Sequence, residues 1–147
     1  MEKIAIVYVS YHHKNTKKVL DEMAKYRNLE LVKVSDGKEK DWSEYTHIGF
    51  ASGIYFGGLD KALVELADKL PITESQKTFI VYTCGSNFKN YAKKLEEILK
   101  SKKGAFVGTF WCKGYDTYGF LKYIGGIAKR HPNEDDLRKA AEFIKGI

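Results

Sequence analysis

Three short stretches of this chain carry residue types suited to binding a small polar ligand, and each directly follows an apolar run. The first is Ser10-Tyr11-His12-His13-Lys14-Asn15-Thr16. Hydroxyls, an amide and basic groups at a strand-to-helix junction suit an anion, because the first helical turn offers unpaired N–H groups and a positive dipole end. Ser10, Asn15 and Thr16 equally suit plain helix capping. The adjacent His12 and His13 rarely chelate one ion and have no carboxylate nearby, so no metal site is expected.

The second stretch is Ser52-Gly53-Ile54-Tyr55-Phe56-Gly57-Gly58. Its glycines permit positive φ and close backbone approach, while Tyr55 and Phe56 offer planar faces at a strand end. Stacking on a flat ligand and a hydrophobic lid over the next helix are both open readings. The third stretch, Thr83-Cys84-Gly85-Ser86-Asn87-Phe88, is small and polar. It can present backbone N–H groups to the polar edge of a ring, with Ser86 or Asn87 capping the helix that follows.

The elements that must position these loops alternate along the chain. Ile4 to Val9 is a β-branched run, as a central strand covered on both faces requires. Leu29-Glu30-Leu31-Val32-Lys33-Val34 mixes charge with apolar residues, as an edge strand does; His47 to Ser52, Thr78 to Thr83 and Ala105 to Cys112 read as three more strands. Helical periods link them: Val19, Leu20 and Met23 after Asn15, then Leu59, Ala62, Leu63, Leu66, Ala67 and Leu70, then Phe88, Tyr91, Ala92, Leu95, Ile98 and Leu99. The last helix has the clearest start, with Asn133 as cap, acids at 134–136, and Leu137, Ala140, Ala141 and Ile144 as its stripe. The pattern predicts one α/β domain over residues 1–147: a three-layer, doubly wound, five-stranded parallel sheet in the order 2-1-3-4-5. Ligands of such sheets sit beyond the carboxyl ends of the strands at the switch point, which is where the loops after Val9, Ser52 and Thr83 meet.

Composition bounds the partners. In 147 residues, 25 Lys plus Arg against 19 Asp plus Glu give a formal charge of +6. Only Arg27, Arg130 and Arg138 are arginines. Guanine reading favours Arg, so the skew to Lys argues against a sequence-specific DNA reader. The two cysteines, Cys84 and Cys112, make no disulfide framework or zinc motif and read as buried small residues. Ile4 to Val9 is too short for a signal h-region or a membrane span. A cytoplasmic monomer, with no membrane or nucleic-acid partner, is expected.

Together the three loops resemble those of flavodoxins. Ser10 through Asn15-Thr16 is similar to the flavodoxin phosphate loop S/T-x-T-G-N-T, one residue longer, with His12-His13 for the threonine and Lys14 for the glycine. The likeness spans essentially the whole chain. The stretches Cys112-Lys113-Gly114-Tyr115-Asp116-Thr117 and His131-Pro132-Asn133 are similar to those of a short-chain subgroup with His-His in that loop. The resemblance implies an FMN cofactor. Ser10, His12, His13, Lys14, Asn15 and Thr16 would hold its phosphate. Ser52, Gly53, Ile54, Tyr55, Phe56 and Gly57 on one side, and Thr83, Cys84, Gly85, Ser86 and Asn87 on the other, would flank the isoalloxazine, with Tyr55 stacking on it. It further implies a peptide among Gly53, Gly57 and Gly58 that turns towards the reduced ring, and Asp60 or Asp116 as the acid that disfavours extra negative charge there. No side-chain acid, base or nucleophile is required. The implied role is electron carriage between a reductase donor and an acceptor enzyme, with the lysines steering an acidic redox partner.

Rival classes fit less well. A response-regulator receiver needs acids after the first strand and an acceptor Asp after the third, where Ser10-Tyr11-His12 and Ser52-Gly53 stand. A dinucleotide fold needs G-x-G-x-x-G after the first strand, and no glycine precedes Gly37. An FMN-dependent NAD(P)H or quinone reductase would need further elements for a second substrate. A non-enzymatic nucleic-acid module would need a concentrated basic face.

Overall fold

A computed structural model describes residues 2–10, 14–86, 89–115, 126–128 and 130–147. Strand β1 (Ile4–Val9) is buried along nearly its whole length and pairs in parallel with β2 (Leu29–Lys33) and β3 (His47–Ser52). Strand β3 is buried at every position, so an apolar run without alternation here means cover on both faces. A two-stranded hairpin follows, β4 (Ile54–Tyr55) and β5 (Gly58–Leu59). Beyond it β6 (Lys77–Cys84) pairs with β3, and β7 (Ala105–Lys113) closes the far edge. The main sheet runs β2-β1-β3-β6-β7, all parallel, which is the expected order 2-1-3-4-5.

Helices cover both faces. α1 (Asn15–Met23) and α5 (Glu134–Gly146) bury Val19, Leu20, Met23, Ala140 and Ile144 against Ile6, Phe79 and Val81. α3 (Lys61–Lys69) and α4 (Lys93–Lys100) bury Leu63, Leu66, Ala67, Leu95 and Leu99 against Val7, Phe50 and Ile80 on the other face. Two cores separated by one sheet follow directly from the alternation of strands and amphipathic helices.

Helix starts are fixed by side chains named at each cap. Asn133 accepts from the Asp136 amide at 2.9 Å while Asp136 accepts from the Asn133 amide at 2.9 Å, a reciprocal capping box. Asp60 accepts from the Leu63 amide at 3.1 Å and starts α3. Two boundaries differ from the periodicity. Val34 starts a one-turn helix, α2 (Val34–Gly37), rather than ending β2. α4 begins at Lys93, after a turn at Tyr91 and Ala92, rather than near Phe88, which lies outside the described residues. Among the described residues, no helix is long and apolar enough to cross a membrane.

Candidate functional site

Parallel pairing sets Val9 of β1 beside Ser52 of β3, and Ser52 beside Tyr82 of β6. The three strand-end loops therefore open at one edge of the sheet. Their closest link is a buried hydroxyl pair: Thr16 Oγ1 at the start of α1 lies 2.9 Å from Thr83 Oγ1 at the end of β6. Ser10 Oγ accepts from the Lys17 amide at 3.2 Å, capping α1 from within the first loop. The amides of Asn15 and Thr16 occupy the same first turn, where the helix supplies no acceptor. Lys14 stands at the cap position with φ 52 and an exposed side chain.

Asn15 ties this loop to the end of β7. Its Nδ2 donates to the Tyr115 carbonyl at 2.7 Å, and the Gly114 amide donates to the Cys84 carbonyl at 2.9 Å. Gly114 has to be glycine: a Cβ there would stand 2.6 Å from Asn15 Nδ2 and 2.7 Å from its Cγ. Oδ1 of Asn15 is buried and accepts no hydrogen bond. A buried acceptor without a donor costs roughly 1–3 kcal/mol, so a ligand group that donated to it would be favoured here. Beside this loop, Lys14, Lys17, Lys33, Ser10 and Ser35 line a cavity of about 480 Å³ with no carboxylate among the described residues of its wall. That end of the site favours an anion.

The second loop is a hairpin rather than an open glycine loop. Ser52 Oγ, fully buried, donates to the Gly53 carbonyl at 2.6 Å and accepts from the Asp60 amide at 3.0 Å, so it clamps the hairpin base. Phe56 and Gly57 form the turn with φ 53 and 80, positive at both central positions as a type I′ turn requires. A bulky side chain in that region is strained, and Phe56 is 90% exposed. Tyr55 is half-buried and folds back over Gly53, whose would-be Cβ lies 3.1 Å from the Tyr55 hydroxyl and 3.8 Å from Thr16 Oγ1. Its ring thus already lies at the junction of the first two loops.

In the third loop, Thr83 and Cys84 are buried, Gly85 is half-buried and Ser86 is exposed. The Tyr91 hydroxyl donates to the Ser86 carbonyl at 3.1 Å, and Tyr91 packs edge-on against Tyr82 with centroids 6.1 Å apart. Burial pushes the Tyr82 hydroxyl up to about 12, and burial, aided by Asp136, pushes the Cys112 thiol up to about 12. Both cysteines are buried and form no disulfide, and the raised Cys112 thiol is not an activated nucleophile.

Of the expected site residues, Ser10, Lys14, Asn15, Thr16, Ser52, Gly53, Ile54, Tyr55, Phe56, Gly57, Thr83, Cys84, Gly85 and Ser86 fall in the three converging loops. His12, His13, Asn87 and Asp116 lie outside the described residues. Asp60, one of the two candidate charges near the ring, caps α3 with its carboxylate. Gly114, Tyr115 and Tyr91 join the site without having been singled out for it. The only signal for the first two was the short-chain likeness of the stretch from Cys112 to Thr117. No group of three or more potential metal ligands occurs among the described residues.

The doubly wound order and the loops at its switch point define a flavodoxin-like α/β protein. The oxidised flavodoxin 2 of Bacillus cereus matches with a TM-score of 0.70 at 18% identity, over 97% of this chain and 95% of that one. A Fusobacterium nucleatum flavodoxin bound to flavin mononucleotide matches at 0.69 and 15%, over 99% and 96%. The apo form of the NADH:FMN oxidoreductase EMOB matches at 0.62 and 15%, over 99% and 88%. No family model matches the sequence. An uncharacterized protein of Methanocaldococcus jannaschii is 43% identical over 147 residues, covering 99% of this chain and 97% of its own. The chain belongs to one family with that protein, and its fold is flavodoxin-like.

Proposed function

We propose that this protein binds FMN and carries electrons between redox proteins in the cytoplasm. The observation that carries this reading is the buried Thr16–Thr83 pair beside the unpartnered Asn15 Oδ1. It joins the anion-favouring start of α1 to the loops that can face a ring. The donor set fits the cofactor in sequence. The first-turn amides and Lys14 suit a phosphate, Asn15 Oδ1 suits a hydroxyl of the ribityl chain, and the loops after β3 and β6 leave Tyr55 and the Gly85–Ser86 backbone for the ring. When bound, FMN supplies one- and two-electron transfer.

The protein's own part is positional. α1 neutralises the phosphate through fixed N–H dipoles, which require no reorganisation on binding. Tyr55 covers one face of the ring site and excludes water there. The hairpin turn, with Phe56 and Gly57 at positive φ, would supply the backbone N–H or C=O that faces the ring. Cys84 and Cys112, which form no disulfide, suit a reducing compartment.

The purified protein is expected to be yellow and to release FMN on acid denaturation. Tyr55→Ala is expected to weaken FMN binding by about tenfold, as loss of an aromatic contact worth roughly 1–1.5 kcal/mol predicts. A colourless protein that takes up no added FMN overturns the reading. Steady NADPH oxidation without a protein partner replaces it with a reductase.

A further inference from the structure

We propose that the groove between the β4–β5 hairpin, α3 and the start of α4 is the docking surface for an acidic redox protein. The inference rests on the flavin-binding reading above and assigns the partner's face. Lys61 at the start of α3, Lys89 in the preceding loop of α4, and Lys93 and Lys94 on α4 line an open groove of about 800 Å³. All four are exposed, and none has an ion-pair partner among the described residues. By contrast, Lys3, Lys17, Lys25, Lys40 and Lys139 each hold a carboxylate within 3.2 Å. Glu65 and Glu97 also line the groove, leaving a cationic excess.

The groove adjoins the ring site. Gly57 and Gly58 of the hairpin form part of its wall. Lys89 Nζ stands 3.8 Å from where a Cβ on Gly57 would be and 5.3 Å from the centroid of the Tyr91 ring. Its charge therefore sits across the gap between the second and third loops. α3 and α4 both begin here, with Asp60 capping the first and Glu96 in the first turn of the second, so the cationic excess is that of the lysines.

The chemistry selects a protein carboxylate patch over a nucleotide phosphate. Every cation is a lysine, a hydrated point charge on a flexible stem, suited to steering a diffuse acidic surface rather than gripping one phosphate in a bidentate fork. Phe56, 90% exposed at the tip of the adjoining turn, supplies the aromatic anchor that protein interfaces favour. Lysines without ion-pair partners along the groove and an exposed aromatic on the adjoining turn make a steering-and-anchor arrangement.

Titration calorimetry of the flavin-loaded protein with an acidic plant-type ferredoxin tests this. Binding is expected at low salt and should weaken about tenfold between roughly 50 and 300 mM salt, because exposed charges are screened over that range. The triple variant Lys61→Glu/Lys89→Glu/Lys93→Glu should lose at least about tenfold in affinity at low salt. Lys103→Glu, exposed on the α4–β7 connection, should stay within about twofold. FMN uptake is measured on the same samples and should be unchanged. Absence of binding at low salt, or equal binding by native and triple variant, overturns the docking surface. So does a single-stranded oligonucleotide or NADPH that occupies these lysines and is not displaced by ferredoxin. A protein that binds ferredoxin through these lysines but takes up no FMN overturns the flavin reading and leaves the docking surface standing.

Discussion

The loop after β1 and the hairpin after β3 flank the same site but are held in different ways. The first is cross-linked to distant parts of the chain: Thr16 to Thr83, Asn15 to Tyr115, and Gly114 packed flat against Asn15. The second is clamped at its base by Ser52 and projects a turn with a bulky residue at positive φ. A phosphate needs fixed donors in a fixed place, whereas a ring that changes charge needs a neighbour able to adjust. The contrast teaches which part of the site is anchor and which is adaptable.

Breaking the anchor should have the largest effect. Gly114→Ala places a methyl 2.6 Å from Asn15 Nδ2, so Asn15 must move. Overpacking of this kind costs about 1–3 kcal/mol, and urea denaturation should show that loss. FMN affinity should fall by tenfold or more, since the start of α1 shifts with Asn15. An unchanged midpoint and affinity would show that the β7 end does not hold the first loop.

Next comes the hydroxyl pair. Thr16→Val leaves the buried Thr83 hydroxyl without its partner, at a cost of about 1–2 kcal/mol. Thr83→Val alone should cost similarly, and the double variant should lose less than the sum of the two. Additive losses by urea denaturation would remove the pair from its role as the link between loops.

A pH series sharpens the comparison on the β7 side. The Cys112 thiol, two residues before Gly114, is raised from 9.0 to about 12 by burial. In the unfolded chain it ionises first, so stability is full below about 9 and falls as pH rises from about 9 towards 12, by at most about 1.4 kcal/mol per pH unit. Cys112→Ala should remove the part of that decline that begins near 9 in urea midpoints, leaving the part above about 10 that the raised Tyr82 hydroxyl contributes. An identical decline in the variant assigns it elsewhere.

The anchor and the hairpin were also unequally legible in the sequence. The strand-end loops could be located because the β-branched run at Ile4–Val9, the strand pattern at His47–Ser52 and helical stripes at Leu63, Leu66 and Leu95 fix a doubly wound sheet, and that sheet fixes where its ligands sit. The hairpin was not visible, because strands of two residues carry no period and Phe56-Gly57 lacks the Asn-Gly signature of a type I′ turn. Asp60 precedes a helical pattern, where a cap is the stronger expectation than a free charge. Gly114 against Asn15 joins residues 99 positions apart, a contact that local pattern cannot encode.

The smallest expected effect tests why the hairpin keeps an aromatic where glycine fits. In Phe56→Gly the turn loses the penalty of a side chain at φ 53, roughly 1–2 kcal/mol, and offsets most of it through greater freedom of the unfolded chain. The net change should be a gain of up to about 1 kcal/mol in urea denaturation. Binding of an acidic ferredoxin should weaken severalfold with its salt dependence retained, since the lysines remain. That combination, a firmer fold with a poorer surface, is what a residue kept for contact rather than stability must show. A loss of stability would instead make Phe56 a structural part of the hairpin and remove the adaptable side of the comparison.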